Sequence, residues 1–341
     1  MKAWLEARLA QLWWRASPGA LSWALWPLSL LYDLLRRLHG RSRQTPALPM
    51  PVLVVGNLIV GGAGKTPTVI AVVQALQARG HRPGVISRGH GRQGRQPRAV
   101  QDGDSPSDVG DEPLLLLRRC KVPVWVGADR NETGRQLCAA QPQVDVLVSD
   151  DGLQHRRLAR QAVLVVFDER GAGNGLLLPA GPLREPLPAA LPADWRVLYT
   201  AGHPSTALPG ALATRRLAQA WPLAAWHAAD DKQALALTAL RGRPLLAAAG
   251  LAAPQKFFDL LAATGLQFKT LPLPDHHPYD TLPWPSGSTD VLVTEKDAVK
   301  LDPARMGGTR VWVLPLDFDI PAALVDELSA LLFVSPAPHL P

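Results

Sequence analysis

The run Val52-Leu53-Val54-Val55-Gly56-Asn57-Leu58-Ile59-Val60-Gly61-Gly62-Ala63-Gly64-Lys65-Thr66-Pro67 sets the reading of the whole chain. Val52–Val55 is short, apolar and rich in β-branched residues, which predicts a buried strand. A glycine-rich loop follows, then a segment from Pro67 to Arg79 with helical character. Strand, glycine loop and helix in that order are the context in which Gly-Lys-Thr carries chemistry. Glycines let successive N–H groups turn toward phosphate oxygens, and the helix N-terminus adds its positive end. Lys65 would reach the β- and γ-phosphates and the Thr66 hydroxyl a Mg²⁺ ion. Pro67 is tolerated because the first helical turn has no N–H bond to lose. The expected nucleotide-binding set is Ile59, Val60, Gly61, Gly62, Ala63, Gly64, Lys65 and Thr66.

The loop departs from the commonest pattern, since Ile59 stands where a first glycine is usual. Gly-Gly-x-Gly-Lys-Thr instead resembles the deviant phosphate loops of another ATPase branch, which often carry Lys where this chain has Val60. A plain glycine turn is the competing explanation. Support comes from downstream, where the apolar strand predicted at Val144–Ser149 ends in Asp150-Asp151. A strand ending in Asp is where such enzymes hold a water on Mg²⁺.

Further strands are predicted at Gly84–Ser87, Val122–Val126 and Val163–Phe167, with a helix at Asn131–Ala140. After a poorly patterned stretch at Leu187–Pro222 come strands at Leu245–Ala249, Val291–Thr294 and Val311–Leu314 and a helix at Pro254–Thr264. This alternation predicts an α/β fold, a doubly wound, mostly parallel sheet with a second, smaller α/β domain. The expected division is 1–45 as a membrane-associated helical anchor and linker, 46–215 as the phosphate-loop domain and 216–335 as the smaller domain. The last helix is allowed to pack back on the first domain. No internal repeat is visible.

Upstream of the loop the composition changes. The formal net charge is +7, and the first 50 residues hold Lys2, Arg8, Arg15, Arg36, Arg37, Arg41 and Arg43 against Glu6 and Asp33. The body is therefore nearly neutral, which argues against a basic nucleic-acid groove. Trp4, Trp13, Trp14, Trp23 and Trp26 crowd the same segment, and Trp favours the membrane–water interface. Between Arg15 and Arg36, Asp33 is the single charge, yet Pro18, Pro27 and Asp33 make a poor spanning helix. Trp4, Leu5, Leu9, Leu12 and Trp13 share one helical face. An anchor, spanning or lying in the interface, is preferred over a core helix or a cleaved signal. The arginine cluster then puts the body on the cytoplasmic side, with Pro46, Pro49 and Pro51 as a stiff linker. With a mean hydropathy near zero the chain is not polytopic. Cys120 and Cys138 lack metal-ligand spacing and read as two reduced thiols.

Other polar groups are ambiguous singly. Asp111 and Glu112 in Gly110-Asp111-Glu112-Pro113 are either helix-start acids or functional groups. Ser87-Arg88-Gly89-His90-Gly91 is a basic turn or an anion loop. Asp275-His276-His277 sets two imidazoles beside a carboxylate, and Thr294-Glu295-Lys296-Asp297 reads as a helix start. In order, these segments, the phosphate loop, Asp150-Asp151-Gly152-Leu153-Gln154-His155, Leu178-Pro179-Ala180-Gly181-Pro182-Leu183-Arg184-Glu185-Pro186 and the run from Thr294 to Leu301 resemble the tetraacyldisaccharide 4'-kinase family of lipid A biosynthesis. His90 stands where that family often has Tyr.

The resemblance implies ATP and Mg²⁺ as cofactors and a lipid A disaccharide precursor as acceptor at its 4'-hydroxyl. It also implies a peripheral or singly anchored enzyme on the cytoplasmic face of a Gram-negative inner membrane, touching that membrane surface and no evident protein partner. Carried over, Asp111 resembles the catalytic base and His276 its partner, with His277 as an alternative. Thr66, Glu112 and Asp150 resemble metal-side ligands, and Asp151, Arg184 and Glu185 active-site polar groups. The competing functions are a membrane-tethered nucleotide switch or transport ATPase, and a non-catalytic membrane module. The acid–imidazole pair discriminates, because a switch needs no base for a sugar hydroxyl.

Overall fold

The structure is a computed structural model, and it describes residue 9, residues 11–39 and residues 47–333. Trp4, Leu5, Arg41, Arg43 and Pro46 fall outside these. In chain order the elements are α1 (Ala20–His39), β1 (Val52–Gly56), α2 (Lys65–Ala78), β2 (Pro83–Ser87), β3 (Arg98–Ala99), α3 (Pro106–Val109), α4 (Asp111–Cys120), β4 (Val124–Val126), α5 (Arg130–Ala140), β5 (Val146–Asp150), β6 (Ala162–Phe167), β7 (Trp195–Tyr199) and β8 (Ala211–Leu212). There follow β9 (Thr214–Arg216), β10 (Gln219–Pro222), α6 (Leu223–His227), β11 (Leu235–Ala236), β12 (Leu245–Ala249), α7 (Pro254–Ala262), β13 (Phe268–Pro272), β14 (Asp290–Thr294), α8 (Glu295–Ala298), β15 (Arg310–Leu314), β16 (Asp317–Asp319) and α9 (Ala322–Phe333).

The first eight strands form one sheet in the order β3-β4-β2-β5-β1-β6-β7-β8, parallel except for β3. β1 is central and buried on both faces, as its unbroken apolar run requires. Its side chains alternate between two cores. Leu53 and Val55 meet α2 and α4, whereas Val52 and Val54 meet Leu137 of α5. The sheet is thus covered on both faces, the doubly wound architecture expected.

A second sheet runs β11-β10-β15-β14-β12-β13, with parallel β12 to β15 and antiparallel β10 and β11 at one side. One face shares the core of the first sheet through Val291, Val293, Val311 and Val313, and the other is covered by Phe257, Phe258 and Leu261 of α7. Between the sheets lies a two-stranded ribbon of β9 and β16. α9 returns to the first sheet, where Arg79 pairs with Asp326 at 2.6 Å and Arg196 pairs with Glu327.

α4 ties the halves together. Asp111 and Glu112 occupy its first turn and Arg118 and Arg119 its last, so both ends suit the helix dipole. Arg119 reaches Glu295 of α8 and Asp317 of β16, each at 2.5 Å. Burial pushes the Glu295 carboxyl up, and Arg119 and the Trp226 indole offset part of that.

The sequence leaves a spanning and an interfacial anchor both open; among the described residues no helix is long and apolar enough to cross a membrane. The polar stripe of α1 faces the protein. The Ser22 hydroxyl accepts from Asn174 (3.2 Å), Ser29 donates to the Leu177 carbonyl (2.8 Å), and Tyr32 donates to the Arg184 carbonyl (2.9 Å). The opposite face leaves Trp23, Trp26, Leu30, Leu31, Leu34 and Leu38 exposed. Arg36 and Arg37 pair with Asp33, so the arginine flank is partly neutralised. Cys120 and Cys138 are free thiols, and burial pushes Cys120 up to about 12.

Candidate active site

The C-terminal ends of β1, β2 and β5 and the loops of the second sheet enclose a cavity of about 830 Å³. Residues 61 to 66 form one wall. Gly64 needs its freedom: φ is +83°, and a Cβ would lie 3.0 Å from the Phe318 ring of β16. α2 starts at Lys65, so the loop feeds directly into a helix N-terminus. Asn57 braces the loop from below, donating to the Gly61 carbonyl (3.1 Å) and accepting from Lys65 Nζ (3.3 Å). Lys65 Nζ also lies 3.6 Å from Asp151. Arg170 donates to the Gly62 carbonyl at 2.7 Å. Asn57 and Arg170 were not among the expected site residues. Arg170 lies 108 residues from its partner, which no local pattern signals.

Register puts Asp150 beside the loop, because Val55 of β1 pairs with Asp150 of β5. Its Oδ2 accepts from Ser87 at 3.1 Å, whereas Oδ1 is buried without a partner. Burial, with Glu112 and Asp151 adding repulsion, pushes this carboxyl up to about 7. A buried, half-satisfied carboxylate with acidic neighbours fits a divalent cation. Among the described residues no three His, Cys, Asp or Glu side chains form a metal site by themselves. Mg²⁺ typically takes one or two carboxylates and completes its shell with phosphate oxygens and water.

Asp111 opens α4 as a buried residue just behind the cavity wall that Glu112 and His276 form. Gly110 precedes it with φ +95°, where a Cβ would meet the His90 carbonyl at 2.8 Å. His276 Nδ1 lies 3.0 Å from Asp111 Oδ2, joining residues 165 apart in sequence. Burial pushes the Asp111 carboxyl up, but the His276 hydrogen bond and the charges of Lys300 and Lys296 outweigh it, so the group is held below the usual carboxylate range. Lys296 Nζ stands 3.3 Å from His276 Nε2 and 3.6 Å from Glu112. An ammonium donates and cannot accept, so Nε2 is the acceptor and the ring proton sits on Nδ1, directed at Asp111. His277 instead packs edge-on against Tyr279, and of the two adjacent rings only His276 bonds Asp111. Lys296 and Lys300 were visible in the sequence only as parts of a motif. His276 and Asp151 both hold positive φ, +56° and +48°. Such strain in non-glycine residues concentrates at functional sites.

The remaining expected residues divide. Asp151, Arg184 and Gln154 line the cavity together, Arg184 reaching Asp151 (3.5 Å) and Gln154 (3.3 Å). Glu112 and Thr66 face the same space. Glu185 does not line the cavity and pairs instead with Arg36 (3.4 Å) and Arg156 (3.6 Å). Ile59 is fully buried in the core, and the Val60 amide is occupied by the Pro182 carbonyl, so neither lines the cavity.

Comparison with known proteins gives the following. The family model described as LpxK, tetraacyldisaccharide-1-P 4'-kinase, matches residues 21–332. A protein of Leptothrix cholodnii named tetraacyldisaccharide 4'-kinase is 54% identical over 337 residues, covering 96% of each chain. One of Methylibium petroleiphilum with the same name is 52% identical, covering 97% of this chain and 95% of its own. A crystal structure of LpxK from Aquifex aeolicus in complex with ATP superimposes with a TM-score of 0.74 at 26% identity, covering 92% of this chain and all of that one.

Proposed function

The chain belongs to the tetraacyldisaccharide 4'-kinase family, the ATP-dependent kinases of lipid A biosynthesis, and on that premise we propose how its residues divide the work. The substrate is a tetraacyldisaccharide 1-phosphate, and the γ-phosphate of ATP moves to its 4'-hydroxyl. The loop from Gly61 to Thr66 grips the nucleotide phosphates, and Lys65 stabilises charge on the group in transfer. Thr66, Asp150 and Glu112 would hold Mg²⁺, which when bound would supply charge neutralisation for the phosphates. Asp111 takes the proton of the acceptor hydroxyl, and His276 orients that carboxylate. Asp151 and Arg184 position the acceptor. The observation that carries this reading is the Asp111–His276 bond, whose His276 ring lines the same cavity as the loop. A nucleotide switch would have no use for it. With labelled ATP, label is expected to reach organic-soluble product only when the disaccharide 1-phosphate is present. Acceptor-independent hydrolysis at a comparable rate would count against the kinase.

The protein is also read as peripheral on the cytoplasmic face of the inner membrane. The support is the outward apolar face of α1, whose polar face is already used. An amphipathic surface of this kind lies in the headgroup region rather than across the bilayer. Leu30, Leu34 and Leu38 are each about half exposed. Replacing all three with Ser is expected to weaken binding to lipid vesicles by about 100-fold, each contributing roughly 1 kcal/mol. Sedimentation with vesicles measures it, and unchanged binding would remove α1 from the contact.

A further inference from the structure

Behind Asp111 lies a short chain of buried charge. Asp297 sits in the first turn of α8 and is fully buried. Its two oxygens accept from the Gly250 amide at 3.2 and 3.1 Å, and Oδ2 also accepts from the Thr294 hydroxyl at 2.7 Å. A Cβ on Gly250 would lie 2.6 Å from Asp297 Oδ1, so the backbone passes this carboxylate at a distance that only glycine allows. Asp297 is therefore held in place. Lys300 stands between it and the base, its Nζ 3.7 Å from Asp297 Oδ1 and 3.5 Å from Asp111 Oδ2. The Lys300 side chain is 5% exposed, and its ammonium makes no hydrogen bond among the described residues. The Tyr279 ring centre lies 5.3 Å from Nζ, within reach of a cation–π contact. Neither Lys300 nor Asp297 lines the cavity.

A lysine that merely balanced Asp297 would close on that carboxylate and bond it, since a buried ion is costly unless it is both paired and hydrogen-bonded. Asp297 already has its donors, and the ammonium stands off toward the base instead. There it shares one oxygen with the imidazole. His276 Nδ1 lies 3.0 Å and Lys300 Nζ 3.5 Å from Asp111 Oδ2, whereas Oδ1 accepts no hydrogen bond among the described residues. Lys296 and Lys300 are four residues apart, and helical bonds from Val299 to Glu295 and from Lys300 to Asp297 carry α8 on to Lys300. The two lysines therefore point the same way, one turn apart. Lys296 meets His276 Nε2 and Lys300 meets Asp111 Oδ2, so one turn of chain braces both members of the pair.

Resting on the kinase reading above, we propose that Lys300, anchored by Asp297, is a positioning residue for the base: with His276 it pins Asp111 Oδ2 and leaves Oδ1 as the oxygen that receives the acceptor's proton. As the acceptor oxygen bonds the γ-phosphorus, the bond from that phosphorus to ADP breaks and the hydroxyl proton passes to Oδ1. Oδ2 keeps its two donors throughout. A carboxylate held by one oxygen can still swing about that contact. Two donors from different directions fix its plane, and with it the line along which Oδ1 meets the hydroxyl.

The test is a double-mutant cycle on the full-length protein with ATP and the tetraacyldisaccharide 1-phosphate, reading kcat and both KM values. Lys300→Met should lower kcat by about 100-fold, the scale for a reacting group displaced by roughly 1 Å, and leave the KM for ATP and for the acceptor unchanged. In an Asp111→Asn background the same change should cost almost nothing, because no charged oxygen remains to be held. A lysine needed only for the fold would slow both backgrounds by the same factor, and that result overturns the inference. So does an unchanged kcat in Lys300→Met, or a loss confined to the KM for ATP. Should Lys300→Met not fold, the variant carrying Lys300→Met with Asp297→Asn, which leaves no buried carboxylate uncompensated, goes through the same cycle against Asp297→Asn and decides the matter. A wild type that transfers nothing to the acceptor overturns the kinase reading, and the inference with it.

Discussion

Lys65→Ala is expected to lower kcat by about 1,000-fold or more while the protein remains folded, the usual scale for removing a preorganised charge from a transferring group. Among the described residues Lys65 Nζ touches Asn57, buried beneath the loop, and Asp151 at the cavity wall, and its side chain is 13% exposed. No core contact depends on it. The loop conformation is set elsewhere, by Asn57 beneath Gly61, by Arg170 on the Gly62 carbonyl and by Thr68 on the Gly64 carbonyl. The ammonium is therefore held ready without being structural. A thermal melt should show little change, and KM for ATP should rise less than kcat falls, because the charge matters most as phosphate moves. Near-normal turnover in a folded Lys65→Ala protein would remove the loop from the chemistry.

Asp111→Asn and His276→Ala should each cost about 10²–10⁴-fold in kcat, and the double variant should be little worse than the worse single. A sugar hydroxyl is too weak an acid to ionise near neutral pH, so a carboxylate must take its proton as the bond to phosphorus forms. Asp111 is suited to this because its neighbours keep it ionised: the depressed pKa means that the base form survives well into acid solution. His276 donates through Nδ1, holding the carboxylate in one orientation, and Lys296 fixes the tautomer that allows this. Groups that act as one unit are strongly non-additive when removed together. The measurement is a double-mutant cycle on kcat at saturating ATP. Losses that simply multiply would mean two independent roles, and a dead His277→Ala beside an unaffected His276→Ala would move the role to the neighbouring ring.

The parts legible in the sequence are those whose physics is local. β1, the loop and α2 are contiguous, and each announces itself by run length, glycines and a helix start. Asp150 was found because a strand end is a local feature. The dyad was reached only through the family resemblance, since no spacing tells that residues 111 and 276 meet. Arg170, Asn57 and Lys296 act through contacts across the fold and carried no signal of their own. Glu185 sits beside Arg184 in the motif, yet Arg184 lines the cavity while Glu185 pairs with Arg36 at the seam with α1, a difference that adjacency in sequence does not signal. β13 escaped notice because an edge strand can hold Lys269 and Pro272, which a central strand would reject. β7 was lost in a proline-rich stretch and is half exposed at its start. α1 was read from its apolar run, broken by Pro18, Pro27 and Asp33; the serines that dock it, Ser22 and Ser29, carried no signal there.

α1 also contributes Tyr32 to the cavity wall, so the helix read as lying in the headgroup region borders the cavity that holds the loop. On that reading the acyl chains need never leave the lipid while the sugar head reaches Asp111. The enzyme then searches in two dimensions, and its acceptor concentration is a mole fraction in the surface, not an amount per volume. Adding inert lipid or detergent at fixed acceptor would slow it by surface dilution, while ATP, arriving from water, would keep an ordinary bulk dependence.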